Sequence, residues 1–356
     1  MNHHLNPQLT EHPLQLGGIR TGALDHPQPL GSTATRVAFI DTGSGLRYTV
    51  ALDRGGDIID AVYNDTPLAY LTPNGLSKPD QAHTHGMDWL RSWAGGLMST
   101  CGPLHIGPPN PDDPNATGLH GRHHLTPAAV TAITNPNPRL DQHDFSLHLR
   151  IDHTRMFGPS LSIQRTISGT LGQPCIDITD TITNTADTPI PQNLLYHCNL
   201  GHPLLAPGCQ LITNARRLSA WGTLLNDNNP DAYKTITKPR TDHAGTGEAG
   251  IILEPNASPD GTATAGLINP HRNLALTVTF STTQLPYLAI WQHLSHAGYV
   301  TGIEPFIGST PGPDSDGSNP HPTINPGESK TYTLSLEILT TPQALERFTT
   351  TDAPTT

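Results

Sequence analysis

The stretch Phe145-Ser-Leu-His-Leu-Arg-Ile151 alternates apolar and polar side chains without a break. Because successive side chains of a strand point to opposite faces, the pattern places Phe145 and Ile151, with the two leucines between them, on one face of a β-strand. The same period-two alternation recurs in residues 47–52, 161–167, 175–182, 274–280 and 332–339. The sequence therefore predicts many short strands, spread from near residue 36 to near residue 339.

Glycine and proline are frequent throughout the chain, which has 33 glycines and 35 prolines among its 356 residues. They interrupt helices and are tolerated in turns, so helices are expected only at 86–93 and 342–348. Strands with one apolar face are buried most simply by packing two antiparallel sheets face to face. We therefore predict an all-β fold with one domain at residues 35–342, an N-terminal arm at residues 1–34 and a C-terminal tail at residues 343–356.

The charge balance argues against some classes of partner. The formal net charge is −11, and the 19 lysines and arginines are scattered, so no basic stripe is available to neutralise phosphates. The four cysteines show no CxxC spacing, and no apolar run approaches the roughly 18 to 20 residues of a membrane span. We expect a cytoplasmic monomer or homodimer that binds neither nucleic acid nor membrane.

Three short segments place an ionisable side chain beside glycine, proline or an aromatic residue at a predicted strand edge. They are GLHGR at 118–122, LYHCNLG at 195–201, and the region 291–306, which ends in TGIEPF. In chain order they contribute His120, His197 and Glu304. Imidazole and carboxylate groups are common general acids and bases, but a single histidine in a strand is more often structural. The residue types alone therefore leave both roles open.

Together with DRGGDI at 53–58 and WAGGLMSTCG at 93–102, these segments resemble the aldose 1-epimerase (mutarotase) superfamily. The similarity is to the branch of mutarotase-like proteins labelled as a domain of unknown function. It implies a large antiparallel β-supersandwich of the galactose mutarotase-like type, with a sugar cleft across one sheet. It also implies that His120, His197 and Glu304 surround a small-molecule carbohydrate without a metal or organic cofactor.

The chemistry of anomer exchange explains why such a trio is needed. A cyclic aldose opens its ring only if a base takes the proton of the anomeric hydroxyl while an acid protonates the ring oxygen. We assign the base to Glu304 and the acid to His197, with Tyr196 and Asn199 as orienting neighbours. His120 then donates a hydrogen bond that stabilises the developing charge.

Several further side chains are candidates for substrate binding. Arg91 could bind the sugar through its forked donors or pair with Asp88, and Arg122 could contact the substrate or Glu304. Trp291 could stack on a sugar face or belong to the core. The predicted substrate-binding residues are Arg91, Arg122, Trp291 and Asn199, with Trp93 as a weaker stacking candidate and Asp227 and Asp231 as candidates for the superfamily's binding aspartate.

Two other functions remain open at this point. The same fold could carry a sugar-binding protein without turnover, because fold alone does not fix function. Alternatively, His83, His85 and the histidines of residues 120–124 could hold a metal ion in a metal-dependent sugar isomerase or lyase. We expect no metal, we expect His123 and His124 to be structural or solvent-facing, and we expect a structural role for Asp57.

Overall fold

A computed structural model describes residues 7–25, 34–80, 84–109, 118–222, 229, 231–308 and 322–350. The strands are β1 (Gly18–Leu24), β2 (Thr35–Asp41), β3 (Leu46–Ala51), β4 (Asp57–Tyr63), β5 (Thr66–Pro67), β6 (Ser99–Cys101), β7 (Ala129–Thr134), β8 (Asp144–His153), β9 (Leu161–Thr170), β10 (Cys175–Asn184), β11 (Ile190–Pro191), β12 (Leu194–Gly201), β13 (Gln210–Thr213), β14 (Ala215–Trp221), β15 (Ala249–Pro255), β16 (Thr262–Asn269), β17 (Leu274–Ser281), β18 (Tyr287–Leu294), β19 (Tyr299–Ile307), β20 (Thr323–Ile324) and β21 (Ser329–Leu339). The helices are α1 (Trp89–Ser92) and α2 (Pro342–Thr350), with 3₁₀ helices at Pro7–Leu9, Pro13–Gln15, His123–Leu125, Pro138–Leu140, Ala232–Lys234 and Thr241–His243. No helix within the described ranges is long and apolar enough to cross a membrane.

The strands form two large antiparallel sheets and two smaller ones. The eight-stranded sheet has the order β13-β16-β17-β21-β10-β9-β8-β7, and the six-stranded sheet has the order β14-β15-β18-β19-β12-β6. A five-stranded sheet runs β1-β2-β3-β4-β5, and β11 pairs with β20. The main hydrophobic core contains side chains from both large sheets and from the five-stranded sheet. The predicted all-β sandwich is therefore confirmed.

The alternating stretches form strands, as the sequence predicts. In β8, the four alternate apolar side chains are at most 1% exposed, from Phe145 to Ile151. The other five predicted strands coincide with β3, β9, β10, β17 and β21. Both helix candidates also form, although α1 has only one turn.

The terminal segments contribute more to the domain than an arm and a tail would. β1 pairs with β2 along its full length, from Gly18 opposite Asp41 to Leu24 opposite Thr35. At the other end, Phe348 of α2 is buried in a small apolar cluster with residues of β13, β16 and β17. The ordered fold thus extends past both predicted boundaries, because these segments cover a sheet edge and an apolar surface. Residues 1–6 and 351–356 lie outside the described residues.

A buried network of ion pairs and hydrogen bonds joins the eight-stranded, six-stranded and five-stranded sheets. Arg165 of β9 is 1% exposed. Its Nε and Nη2 donate to the two carboxylate oxygens of Asp180 at 2.8 and 2.6 Å. Nη2 also donates to the Thr100 hydroxyl at 2.8 Å, and Nη1 donates to the Gly55 carbonyl at 3.0 Å and to Asp57 at 3.3 Å. One guanidinium therefore connects β9 and β10 to β4 and β6.

The same network reaches the strand that carries His197. Tyr196 of β12 donates its hydroxyl to Asp180 at 2.8 Å, and burial raises the pKa of that hydroxyl well above its usual range. Burial also raises the pKa of Asp57 to about 6, against the opposing effect of Arg165. The Asp57 carboxyl accepts the backbone N–H of Thr100 at 3.0 Å. Asp57 thus has a structural role, since it fixes β4 against β6.

We predict that Arg165→Leu destabilises the protein by about 3–5 kcal/mol, because it leaves Asp180 buried without its cationic partner. The free energy of unfolding in urea measures the loss. Arg150→Leu on the neighbouring strand is the matched control, since Arg150 is 57% exposed and pairs with Asp152 at the surface. That control is expected to change the free energy by no more than about 0.5 kcal/mol. Equal effects of the two substitutions would contradict the prediction.

Candidate active site

Two of the predicted catalytic side chains come from neighbouring strands of the six-stranded sheet. His197 lies on β12 and Glu304 on β19, and these strands pair along most of their length. The His197 Nε2 atom is 3.3 Å from Glu304 Oε1, and each side chain is only 6% exposed. All eight residues of β12 are buried, so the strand is covered on both faces. The structure therefore brings the imidazole and the carboxylate together in a largely dry environment.

A glycine makes room for the carboxylate. Gly302 lies two residues before Glu304 on β19, so both positions face the same side of the sheet. A Cβ atom at position 302 would lie 2.1 Å from Glu304 Oε1. The carboxylate thus folds back over Gly302, which pairs with Asn199 of β12 and with Trp291 of β18.

His120 reaches the pair from a turn outside the sheet. Its φ is +57°, a left-handed conformation that is uncommon for a residue with a side chain. Two backbone hydrogen bonds hold the turn, from His120 N to Gly107 O and from Gly102 N to His120 O, both at 3.0 Å. The Gly107 N–H donates to His120 Nδ1 at 3.3 Å, so the neutral ring carries its proton on Nε2. The His120 and His197 ring centroids are 5.7 Å apart.

Two tryptophans, Trp89 of α1 and Trp93 directly after it, pack against this group of side chains. The rings of Trp89 and Trp93 stack with centroids 4.6 Å apart. Trp89 also lies 5.0 Å from the ring of His120 and 6.3 Å from that of His197. The ring centroids of Trp93 and His197 are 5.6 Å apart. Trp93 also donates its Nε1–H to the hydroxyl of Ser99 on β6 at 2.9 Å. Trp93 was predicted from the sequence as a weaker stacking candidate. Trp89 was not predicted, although it lies within the helix candidate at residues 86–93.

Trp291 forms the next wall of the site. Its ring centroid is 5.5 Å from that of His197, at an interplanar angle of 74°. Its Nε1–H donates to the carboxylate of Glu248 at 2.8 Å. Glu248 is a second residue that sequence reasoning missed, because it lies outside the three quoted motifs. It brings a further negative charge to the rim of the site.

The 3.3 Å approach of His197 Nε2 to Glu304 Oε1 lacks the geometry of a hydrogen bond. Three buried polar atoms of the site therefore make no hydrogen bond among the described residues. They are His197 Nδ1, Asn199 Oδ1 and Glu304 Oε1. The Asn199 amide donates its N–H groups to the carbonyls of His197 at 2.7 Å and Gly96 at 3.2 Å, which leaves only its oxygen unpaired. An unpaired buried polar group costs about 1–3 kcal/mol. Three of them on neighbouring residues of one sheet face indicate a place for a polar ligand.

Burial shifts the proton equilibria of the site toward uncharged forms. It raises the pKa of Glu304 well above its usual range, and the Glu248 carboxylate adds to this shift. It lowers the pKa of His197 to about 4, an effect that the Asn199 side chain partly opposes. Burial, followed by His197 and His105, lowers the pKa of His120 well below its usual range. Burial thus shifts both imidazoles and the Glu304 carboxyl group toward their neutral forms.

The two arginines predicted to bind substrate, Arg91 and Arg122, are both exposed. Arg91 is 75% exposed on the outer side of α1 and pairs with Asp88 at 3.2 Å, which is the structural alternative considered from the sequence. Arg122 is exposed, and its charge contributes to lowering the pKa of His153. A role in substrate binding stays a prediction for both residues.

The adjacent histidines of the HGRHH stretch are buried. His123 bonds to the Gly55 carbonyl at 2.9 Å and to His153 at 3.1 Å, and His124 bonds to the Ser92 hydroxyl at 2.9 Å. Within the described residues, no three His, Cys, Asp or Glu side chains are grouped so as to hold a metal ion. His83 and Asp227 lie outside the described residues, and Asp231 pairs with Lys234 at 3.7 Å.

The fold is that of the galactose mutarotase-like β-sandwich proteins. More specifically, the chain belongs to the family Domain of unknown function (DUF4432), whose profile matches residues 32–338. A search of curated proteins found no match.

Solved structures show the same architecture at low sequence identity. A candidate aldose 1-epimerase from Klebsiella pneumoniae is 21% identical with a TM-score of 0.78, over 94% of this chain and 86% of the other. A candidate aldose 1-epimerase from Escherichia coli K12 is 16% identical with a TM-score of 0.55, over 91% and 100% of the two chains. A galactose mutarotase-like protein from Clostridium acetobutylicum is 12% identical with a TM-score of 0.58, over 91% and 99%. At these identities, the similarity establishes the fold.

We predict that acidification destabilises the protein through His197. Its pKa is about 4 in the folded chain and about 6.5 when unfolded, so between these values the unfolded chain binds more protons. Stability then falls as the pH falls through this window. Denaturation curves at pH 7 and pH 4 should show a smaller loss for His197→Gln than for the wild type, by about 3 kcal/mol.

His143→Gln is the matched control for this measurement. The His143 side chain is 44% exposed and pairs with Asp141 at the surface, so its substitution should change the loss of stability much less than His197→Gln does. If His197→Gln and the wild type lose equal stability between pH 7 and pH 4, the buried imidazole is not neutral as described.

Proposed function

We propose that the protein interconverts the anomers of a sugar by general acid–base ring opening, as an aldose 1-epimerase does. The observation that carries the proposal is the 3.3 Å approach of His197 Nε2 to Glu304 Oε1, with unpaired polar atoms on both side chains. Anomer exchange needs one proton acceptor and one proton donor on the same sugar. A buried imidazole beside a buried carboxyl provides both groups, and neither needs a metal or an organic cofactor.

The burial of the pair suggests how its proton is shared. Since burial raises the pKa of Glu304 and lowers that of His197, the proton resides on the carboxyl group in the resting site. In ring opening, His197 takes the anomeric proton and Glu304 protonates the ring oxygen. In ring closure the roles reverse, so that Glu304 is the base and His197 the acid. The sequence-based assignment gave Glu304 as the base and His197 as the acid of ring opening, so the proposed direction of proton transfer is the opposite. Rotation about the C1–C2 bond of the open chain exchanges the anomers.

The other side chains would position the sugar. His120 donates from Nε2 toward the oxygen on which charge develops, and a preformed donor of this kind needs no reorganisation during the reaction. Trp291 offers an aromatic surface to the apolar C–H groups of the ring. The Asn199 oxygen accepts a hydroxyl hydrogen, and Glu248 accepts another at the rim. Trp89 and Trp93 would exclude water, which strengthens each of these polar interactions.

We predict that Glu304→Gln and His197→Ala each lower the rate of anomer exchange by about 10²- to 10⁴-fold, because each removes one proton-transfer group. Exchange spectroscopy by NMR on freshly dissolved α-glucose and α-galactose gives kcat and KM directly. Glu254→Gln is the matched control, since the Glu254 carboxylate is 48% exposed and pairs with Arg216 at the surface.

The outcomes separate the enzyme from a sugar-binding protein on the same fold. A protein that binds sugars without accelerating their exchange would overturn the proposal. Full activity of Glu304→Gln at a pH where the wild type is active would also overturn the proposal.

We further predict that Gly302→Ala lowers kcat by about 10²-fold while the protein still folds. The added Cβ would meet Glu304 Oε1 at 2.1 Å and push the carboxylate aside, and misplacement by about 1 Å can cost this much. Gly302 has no left-handed φ, so the backbone accepts alanine. Gly22→Ala on β1 is the control, because its nearest neighbour would be a Phe39 ring atom at 3.3 Å. Unchanged kcat in folded Gly302→Ala would separate Glu304 from the reaction.

A further inference from the structure

A second aromatic surface lies beside the site on the same face of the six-stranded sheet. Trp221 ends β14, the outermost strand, and is 38% exposed. It pairs with Gly250 of β15, which pairs in turn with Trp291 of β18. Residues directly opposite each other in antiparallel strands carry their side chains on the same face. Trp221 therefore faces the same side as Trp291 and the His197–Glu304 pair.

A second glycine determines where the Trp221 ring lies. A Cβ atom at position 250 would lie 2.2 to 2.3 Å from two atoms of the Trp221 six-membered ring. The indole thus lies over Gly250 and leans from the sheet edge toward Trp291. Neighbouring strands are about 4.8 Å apart, so the exposed ring is displaced from Trp291 by about one strand spacing. That displacement is comparable to the length of one pyranose unit.

A carboxylate lies beside Trp291, on a residue that directly precedes β15, the strand between those of the two tryptophans. Glu248 is two residues before Gly250, and its carboxylate is held by the Nε1–H of Trp291 at 2.8 Å. The rest of the Glu248 side chain is exposed, so the carboxylate can accept hydrogen bonds from sugar hydroxyls. An exposed indole face and a fixed polar acceptor are the two elements that a pyranose site requires.

We propose that Trp221, Gly250 and Glu248 form a second sugar subsite, which holds the neighbouring unit of a reducing oligosaccharide. The reducing unit of that substrate lies at His197 and Glu304, and its neighbour stacks on Trp221. This inference rests on the proposed anomer exchange and names its substrate class. Among the described strands β14 is the outermost of this sheet, so we infer that an extended substrate leaves the site past β14.

The test compares disaccharides with their own reducing unit. Maltose, cellobiose and lactose all end in glucose, so kcat/KM for anomer exchange is measured for each of them and for glucose. Wild-type protein should prefer at least one disaccharide to glucose. Trp221→Ala should lower kcat/KM for that disaccharide by about tenfold and leave the value for glucose within about twofold.

Two further variants separate the ring from the rest of the sheet. Gly250→Ala should act in the same direction as Trp221→Ala, because its methyl group displaces the indole from its place over the strand. Phe157→Ala is the matched control, since its ring is 96% exposed in the hairpin between β8 and β9. That control should leave the disaccharide preference unchanged.

Binding of the sugar alcohol of the preferred disaccharide, measured by calorimetry, distinguishes the two proposals. The alcohol has no anomeric centre, so it reports binding without turnover. Weaker binding to Trp221→Ala supports the subsite even if no sugar exchanges its anomers faster, in which case only the proposed function fails. If exchange is accelerated but Trp221→Ala changes neither the disaccharide preference nor the binding, the subsite is overturned and the proposed function stands. If no disaccharide is preferred to glucose and the alcohols of all three fail to bind, the subsite is likewise overturned.

Discussion

The buried guanidinium of Arg165 is the interaction on which the rest of the structure depends. A cation that is 1% exposed must be fully paired, and Arg165 is paired through Asp180, Asp57, Thr100 and a backbone carbonyl. Those partners come from both large sheets and from the five-stranded sheet, so the network fixes how the layers are placed. Tyr196 extends it to β12. Because Tyr196 and His197 are adjacent in a strand, one anchors the strand in the core and the other faces the site.

Two glycines, Gly250 and Gly302, leave space for neighbouring side chains on the face of the six-stranded sheet that carries the site. Its strands are paired in register, so a row of opposed positions runs from Trp221 through Gly250, Trp291 and Gly302 to Asn199. Tryptophan and glycine alternate along the first four positions of this row. Each gap accepts a neighbouring group, the Trp221 ring in one case and the Glu304 carboxylate in the other. Aromatic and polar side chains therefore lie next to one another along this face of the sheet.

The sequence predicted the strands more completely than the site. Period-two patterns identify strands such as β8, where one face is buried, but β12 is buried on both faces and shows no alternation. His197 and Glu304 were therefore selected through resemblance and residue type, and their separation became known only from the pairing of β12 with β19. In α1, Trp89 and Arg91 are about 200° apart around the helix, so only one of them can face the imidazoles. The pattern of a one-turn helix does not show which one.

The site carries unfavourable free energy that the core must offset. Unpaired polar atoms on His197, Asn199 and Glu304 each cost about 1–3 kcal/mol, and the left-handed His120 adds about 1–3 kcal/mol. Apolar side chains at these positions would give a more stable sandwich, so stability alone does not explain the residues that are present. A ligand that supplies hydroxyl groups would satisfy the same atoms and recover much of the cost. The Arg165 network reaches β12 through Asp180 and Tyr196, so the strand that carries His197 is held by core interactions and not by the unpaired groups themselves.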